Sequence, residues 1–277
     1  MISPPISGRR VAAETNGIRH EALLYNEGSA ADLYLVPGIT SPAVTVDFIA
    51  VRLAEAGYRV AVPDVRGRGG SDTPGPGSYS LDDYAADAEG VIGALGLNRP
   101  ALVGHSMGAR IVAALSLRCP DFGPVVLVDP PVSGPGRDPY PTTREQFLTQ
   151  LQEAQRGTDA DAVRRFYPKW PERELQIRAE YLAGCDETAV VETHSGFETE
   201  DFHEIYAKLS APTHLVRGAE SPVLPEAAAR ELAALRPDIT IESVAGAGHM
   251  VPWDNPSGFF DAVLTYLTSG ASPAHSA

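Results

Sequence analysis

Short apolar runs alternate with stretches of helical spacing along most of the chain. Residues 33–36, 58–62, 101–103, 125–128, 213–217 and 239–244 are continuous rather than alternating in apolar character. Runs of that kind predict strands covered on both faces, hence a mostly parallel sheet. Between two of them, Ser80 with Asp83 three positions on reads as a helix N-cap. Leu81, Tyr84, Ala85, Ala88, Ile92 and Leu95 follow at helical spacing, and Gly96 stops the run. This rhythm predicts an α/β fold with a sheet wound by helices on both sides.

The rhythm breaks between residues 131 and 207. Segments 143–157, 159–170, 171–184 and 199–210 all carry helical character, with no clear strand among them. An all-helical insertion in an α/β frame predicts a lid over the carboxyl edge of the sheet, where such folds bind ligands. The expected division is a core of residues 1–130 and 208–277 and a helical lid of 131–207, hinged at the Pro- and Gly-rich stretch 130–141.

A chain of 277 residues can bury enough surface to hold a core without disulfides or structural metals. Its two cysteines, Cys119 in an expected helix-to-strand turn and Cys185 in a helical segment, lack the spacing of a metal site. Neither a metal nor a cofactor is expected. The first ten residues lack the apolar core of a signal peptide and no run approaches ~18 apolar residues. The expectation is therefore a cytoplasmic protein with no membrane partner, ending in a frayed tail that carries His275. A net charge of −14 repels phosphate backbones, which argues against nucleic acid as a partner. The same charge would repel a small anionic substrate, so such a ligand needs a local cation. Homo-oligomerisation is left open.

The candidate chemistry begins at Gly104-His105-Ser106-Met107-Gly108, a G-x-S-x-G run between an apolar strand and a helix-forming stretch. That context predicts a nucleophile elbow, in which small flanking residues allow a strained turn to expose the serine hydroxyl. A serine needs a base, and the base needs a carboxylate to orient it. His249 lies in the loop after the last strand, where the base belongs in chain order. For the acid, the usual aspartate after the sixth run is replaced by Ser221 in Gly218-Ala219-Glu220-Ser221. Asp129, at the end of the preceding strand, is favoured, and Glu220 is the alternate. The expected oxyanion donors are the backbone N–H groups of Met107, directly after the nucleophile, and Ile39, in the Pro37–Thr40 loop. The Gly-rich turn from Asp64 to Gly69 reads as structural, with its arginines tied to loops.

These motifs together resemble the α/β-hydrolase superfamily over nearly the whole core. Within it, PGITSPA at 37–43, GHSMGAR at 104–110, LVDPPVSGPGR at 127–137, the FYPKW and IRAEYL segments and AGHMVPWD at 247–254 are similar to the N-formylmaleamate deformylase group of bacterial nicotinate breakdown. The 2-(acetamidomethylene)succinate hydrolases of vitamin B6 breakdown are neighbours in pattern. The resemblance supports Asp129 as the acid, and it implies a metal-independent serine hydrolase that releases formate from a small N-acyl amide acid. The carboxylate of such a substrate makes Arg178 the first choice of cation, with Arg137, Arg164 and Arg165 behind it. Tyr140, Tyr167 and Tyr181 could supply hydroxyls or walls. Arg110 is expected to be a buried ion-pair partner. Competing readings keep the triad but change the substrate to an ester, a lactone or a carbon–carbon bond, or abandon turnover for binding alone.

Overall fold

The computed structural model describes residues 5–210 and 212–269, so the expected tail with His275 lies outside the described residues. Eight strands form one sheet: β1 (Arg9–Thr15), β2 (Ile18–Tyr25), β3 (Ala31–Val36), β4 (Tyr58–Pro63), β5 (Ala101–His105), β6 (Val125–Val128), β7 (Thr213–Gly218) and β8 (Thr240–Val244). Their order is β1-β2-β4-β3-β5-β6-β7-β8. From β4 to β8 every pairing is parallel, while β1 and β2 are antiparallel. The helices are α1 (Asp47–Glu55), α2 (Leu81–Ala94), α3 (Met107–Arg118), α4 (Arg144–Arg156), α5 (Ala160–Arg164), α6 (Glu172–Tyr181), α7 (Glu187–Thr199), α8 (Phe202–Lys208), α9 (Glu226–Leu235), α10 (Val251–Asp254) and α11 (Pro256–Ser269).

The continuous apolar runs have the structural cause inferred from them. Alternate residues of each central strand enter opposite cores: Tyr34, Leu102, Leu127 and Leu215 pack on the side of α2 and α3. Leu33, Leu35, Val103, Val126 and Val216 pack on the side of α1 and α11. Ser80 and Asp83 make the expected reciprocal cap of α2, and Gly96 follows its end at φ 61°.

Three local expectations are corrected. The β1–β2 hairpin was missed because its residues are half exposed and mix charged with apolar side chains. Its signal was the Asn16-Gly17 pair, both at positive φ, as a tight hairpin turn demands. Helix α7 was missed as well; its Thr and Val content has low helix propensity, and Asp186 caps it by accepting the Ala189 N–H at 2.8 Å. Cys185 is not helical: it follows a short 3₁₀ turn and bridges antiparallel to Arg68.

Helices α4 to α8 all fall between β6 and β7, and α8 packs on α3 and α9. Parallel register brings the ends of β3, β5 and β6 to one edge of the sheet, beneath that insertion. The edge is drawn tight by glycines. A Cβ at Gly108 would lie 2.0 Å from the Val36 carbonyl oxygen, and one at Gly104 would lie 2.1 Å from that of Gly108. The elbow therefore touches the end of β3 backbone to backbone.

Gly108→Ala should lower unfolding stability by about 2–4 kcal/mol, because a backbone carbonyl cannot swing aside as a side chain can. Gly93→Ala, at an exposed α2 position with open space around it, should raise it by about 0.5 kcal/mol. Urea denaturation of both variants checks the pair.

Candidate active site

Strand β5 ends in the elbow. Ser106 takes φ 56° and ψ −119°, a backbone conformation costly for a residue with a side chain, and its N–H is held by the Val128 carbonyl at 2.9 Å. The strained turn directs the hydroxyl away from the sheet and starts α3 immediately behind it. Strand β6 ends one residue before Asp129, which is fully buried and sits at φ 47°. The third member comes from the loop after β8. This loop crosses the end of β7 so closely that a Cβ at Gly218 would lie 2.0 Å from the Gly248 carbonyl oxygen.

These three turns bring Ser106, His249 and Asp129 together. His249 Nδ1 lies 2.7 Å from Asp129 Oδ2 and its Nε2 lies 3.0 Å from Ser106 Oγ. An ionised carboxylate only accepts, so Nδ1 carries the ring proton and Nε2 is free to accept from the serine. Asp129 also accepts the Gly218 N–H at 3.0 Å and the Ser221 hydroxyl. Glu220 is exposed, and its N–H is tied to the Ala247 carbonyl; it does not reach His249. Ser221 is the residue that sequence reasoning undervalued. It stands where an acid was looked for, and instead donates to the acid on the neighbouring strand while accepting the Val223 N–H.

His105 fixes the loop from below by donating its Nε2 proton to the His249 carbonyl at 2.9 Å. Burial pushes its pKa down to about 3, so it remains neutral. Tyr140 approaches from the insertion, its hydroxyl 3.4 Å from His249 Nε2, and its ring lies near Phe147 and Phe197. Burial raises the Tyr140 pKa above its ordinary value, so it keeps its proton.

The two expected oxyanion residues flank the serine. Met107 is the first residue of α3, so its N–H has no acceptor within the helix. The Pro37–Thr40 loop passes so near that a Cβ on Gly38 would lie 3.6 Å from Ser106 Cβ. The Ile39 carbonyl accepts from Arg68 Nε at 3.0 Å, which fixes the peptide beyond its N–H.

A cavity of about 530 Å³ opens over Ser106 and His249. Its walls include Ile39, Thr40, Tyr140, Tyr167 and Arg178. Arg178, on α6, is buried and donates to the Thr40 carbonyl at 2.5 Å and to Thr40 Oγ1 at 2.9 Å. Its Nε has no partner, and no carboxylate pairs with it among the described residues. The Tyr167 ring lies 5.6 Å from its guanidinium.

The other candidate cations are elsewhere. Arg137 pairs with Glu231 at 2.8 Å beside a different surface cavity, because the turn that carries it faces α9. Arg164 pairs with Glu172, and Arg165 with Glu153 at 3.4 Å, both on exposed faces of the insertion. Tyr181 does not line the cavity. Arg110 is buried against Phe197 and Phe202 and pairs with Glu200, as expected of it. Which face of a helix carries an arginine inward depends on packing partners far away in sequence; Arg178, the first choice from the IRAEYL segment, is the one of the four that lines the cavity.

Residues 33–256 match the model of the α/β-hydrolase fold family. N-formylmaleamate deformylase of Pseudomonas putida is 40% identical over 95% of this chain and 97% of its own length. The crystal structure of N-formylmaleamic acid deformylase from Pseudomonas putida S16 superposes with a TM-score of 0.85 at 40% identity, covering 92% of this chain and all of that one. A 2-(acetamidomethylene)succinate hydrolase of Mesorhizobium japonicum is 31% identical over 87% of this chain and 89% of its own length. Strand order, elbow and full-length likeness agree, and the chain belongs to the α/β-hydrolase family.

Proposed function

We propose that the chain is a cytoplasmic serine hydrolase that cleaves N-formylmaleamate to maleamate and formate, with Ser106, His249 and Asp129 as its triad. The observation that carries the substrate class is Arg178: a buried guanidinium facing the cavity without a carboxylate of its own, beside Ser106. A cation left unpaired inside a protein of net charge −14 is a receptor for an anion brought by the ligand.

In this reading, Arg178 and the Thr40 hydroxyl hold the substrate carboxylate while the formyl group rests against Ser106. His249 takes the serine proton as Oγ attacks the formyl carbon, and the N–H groups of Ile39 and Met107 receive the oxyanion. Collapse of the tetrahedral intermediate breaks the carbon–nitrogen bond, and the His249 imidazolium protonates the departing nitrogen. That nitrogen belongs to an amide, so its developing charge spreads onto the second carbonyl and it leaves more readily than an amine. Water, deprotonated by His249, then attacks the formyl-serine and releases formate. Tyr140, protonated and beside Nε2, adds a donor at the reacting centre.

The cavity favours this acid over a succinate-type substrate. Among the residues that line it, Arg178 is the only lysine or arginine, and Glu145 faces the same space. One cation and one acid suit a monocarboxylate better than a dicarboxylate.

Three outcomes are expected. In a formate-release assay, Asp129→Asn should lower kcat about 10⁴-fold, Ser221→Ala about tenfold through loss of one hydrogen bond to the Asp129 carboxylate, and Glu220→Gln should stay within about twofold of the parent. Arg178→Met should lower kcat/KM for N-formylmaleamate about 100-fold while turnover of neutral p-nitrophenyl acetate falls less than about fivefold; equal losses on both would refute its role as the carboxylate receptor. Because the folded pKa of His105 is depressed to about 3 while the unfolded ring titrates near 6.5, only the unfolded chain binds this proton as pH falls between them. Its contribution is intact above about pH 6.5 and declines below it, costing about 2 kcal/mol at pH 5. Urea titrations of the parent and His105→Gln at pH 7.5 and 5 should show a smaller acid penalty in the variant.

A further inference from the structure

Arg68 belongs to neither the triad nor the cavity wall, yet its surroundings are unusual for a charge. It is wholly buried. Nη1 donates to the Tyr84 hydroxyl at 2.5 Å and to the Arg66 carbonyl at 3.0 Å, and Nη2 donates to Thr193 Oγ1 at 3.1 Å and to the Ala189 carbonyl at 3.4 Å. Every one of these acceptors is neutral. Three other buried arginines have acids, Arg66 with Asp87, Arg110 with Glu200 and Arg217 with Glu226, and Arg178, which has none, faces the cavity. No carboxylate of the described residues comes within 4.0 Å of Arg68. Asp64 and Asp186 act on the nearby Cys185 thiol without pairing with the guanidinium. The neighbours that could become anionic are held neutral by burial: Tyr84 is raised, Tyr79 is pushed up to about 12 and Cys185 to about 11.

The same guanidinium touches both expected oxyanion residues. Its Nε donates to the Ile39 carbonyl at 3.0 Å, and its Nη2 lies 3.9 Å from Met107 Sδ. The turn that carries it is closed by Gly67 at φ 71°, where a Cβ would lie 2.6 Å from Ala189 Cβ, and its backbone bridges Cys185. Arg68 thus ties the insertion, the Ile39 loop and the start of α3 to one point of charge.

We propose that Arg68 is a positioning residue for the oxyanion site, which holds the Ile39 loop against Met107 and places an uncompensated positive charge behind the two donors. A charge buried without a counterion is costly to the fold, and in a low-dielectric interior its field reaches an anion that forms several ångströms away. The carbonyl oxygen of the substrate becomes negative only as the tetrahedral intermediate forms, so this field favours that state over the bound substrate. The inference rests on acyl transfer at Ser106 and not on the identity of the acyl group.

The test compares the parent with Arg68→Met and Arg68→Lys on N-formylmaleamate and on p-nitrophenyl acetate. Arg68→Met should lower kcat about 30-fold or more on both substrates with KM within about threefold, since both reactions form an oxyanion. Arg68→Lys should recover most of that loss at neutral pH. A lysine buried there without an acid gives up its proton at lower pH than one in water, so kcat of Arg68→Lys should gain an alkaline limb that the parent lacks. That limb switches the charge off with the fold unchanged, and it decides the matter alone if Arg68→Met fails to fold. A parent-like kcat in Arg68→Met, or an Arg68→Lys profile without the extra limb, overturns the proposal. A parent that hydrolyses the ester but not N-formylmaleamate refutes the substrate reading only, and the same variants on the ester still decide the role of Arg68.

Discussion

The site is organised by a carboxylate that solvent never reaches. Asp129 has no exposure, and an ion so placed is tolerated only when donors surround it. Three do: the His249 ring, the Gly218 N–H and the Ser221 hydroxyl. Each donor constrains something else. Gly218 is the end of β7, so the acid is fixed to the sheet; Ser221 opens the turn toward α9; and His249 is forced into the tautomer that leaves Nε2 able to accept. A hydroxyl where an acid might have stood leaves Asp129 without a second carboxylate against it, where two would repel and raise the affinity of one for a proton.

Set against that charge are two arginines with no acids of their own. The chain carries 22 basic and 36 acidic residues, and most arginines in the described structure sit in ion pairs. Arg178 and Arg68 are buried exceptions, and they converge on one loop. Arg178 holds the carbonyl of Thr40 and Arg68 that of Ile39. The net charge of −14 repels an anion, which could be retained only where the unpaired cations are, so specificity lies in local pairing rather than in the global field.

The parallel strands were legible because burial on both faces leaves a run of apolar residues with nothing polar to interrupt it. The β1–β2 hairpin carries Arg9, Arg10, Glu14, Arg19 and Glu21 on a half-exposed edge, so the same rule could not see it. Ser106 and His249 were legible for a different reason: the backbone demands of an elbow and of a close loop crossing leave a record of glycines around them. Asp129 was a choice between two acids at neighbouring strand ends. That choice turns on how the loop after β8 crosses β7, a contact between segments some thirty residues apart that one sequence does not display. The arginines were least legible of all. Arg137 and Arg178 both lie in the expected lid, and only the orientation of α6 over Thr40 separates a cavity-facing guanidinium from a surface ion pair.

The strain at the elbow and the buried unpaired cations have a common consequence. Each lowers the stability of the folded chain, and each lies within one turn of the reacting atoms or in contact with the loop that cradles them. Stability that could have been gained by an acid beside Arg68, or by a relaxed turn at Ser106, is forgone where it would blunt the field or retract the hydroxyl. The surrounding frame compensates with eight paired strands and two apolar layers filled on either side of them. A reaction that develops charge at a buried serine benefits from dipoles and cations that need not move to meet it.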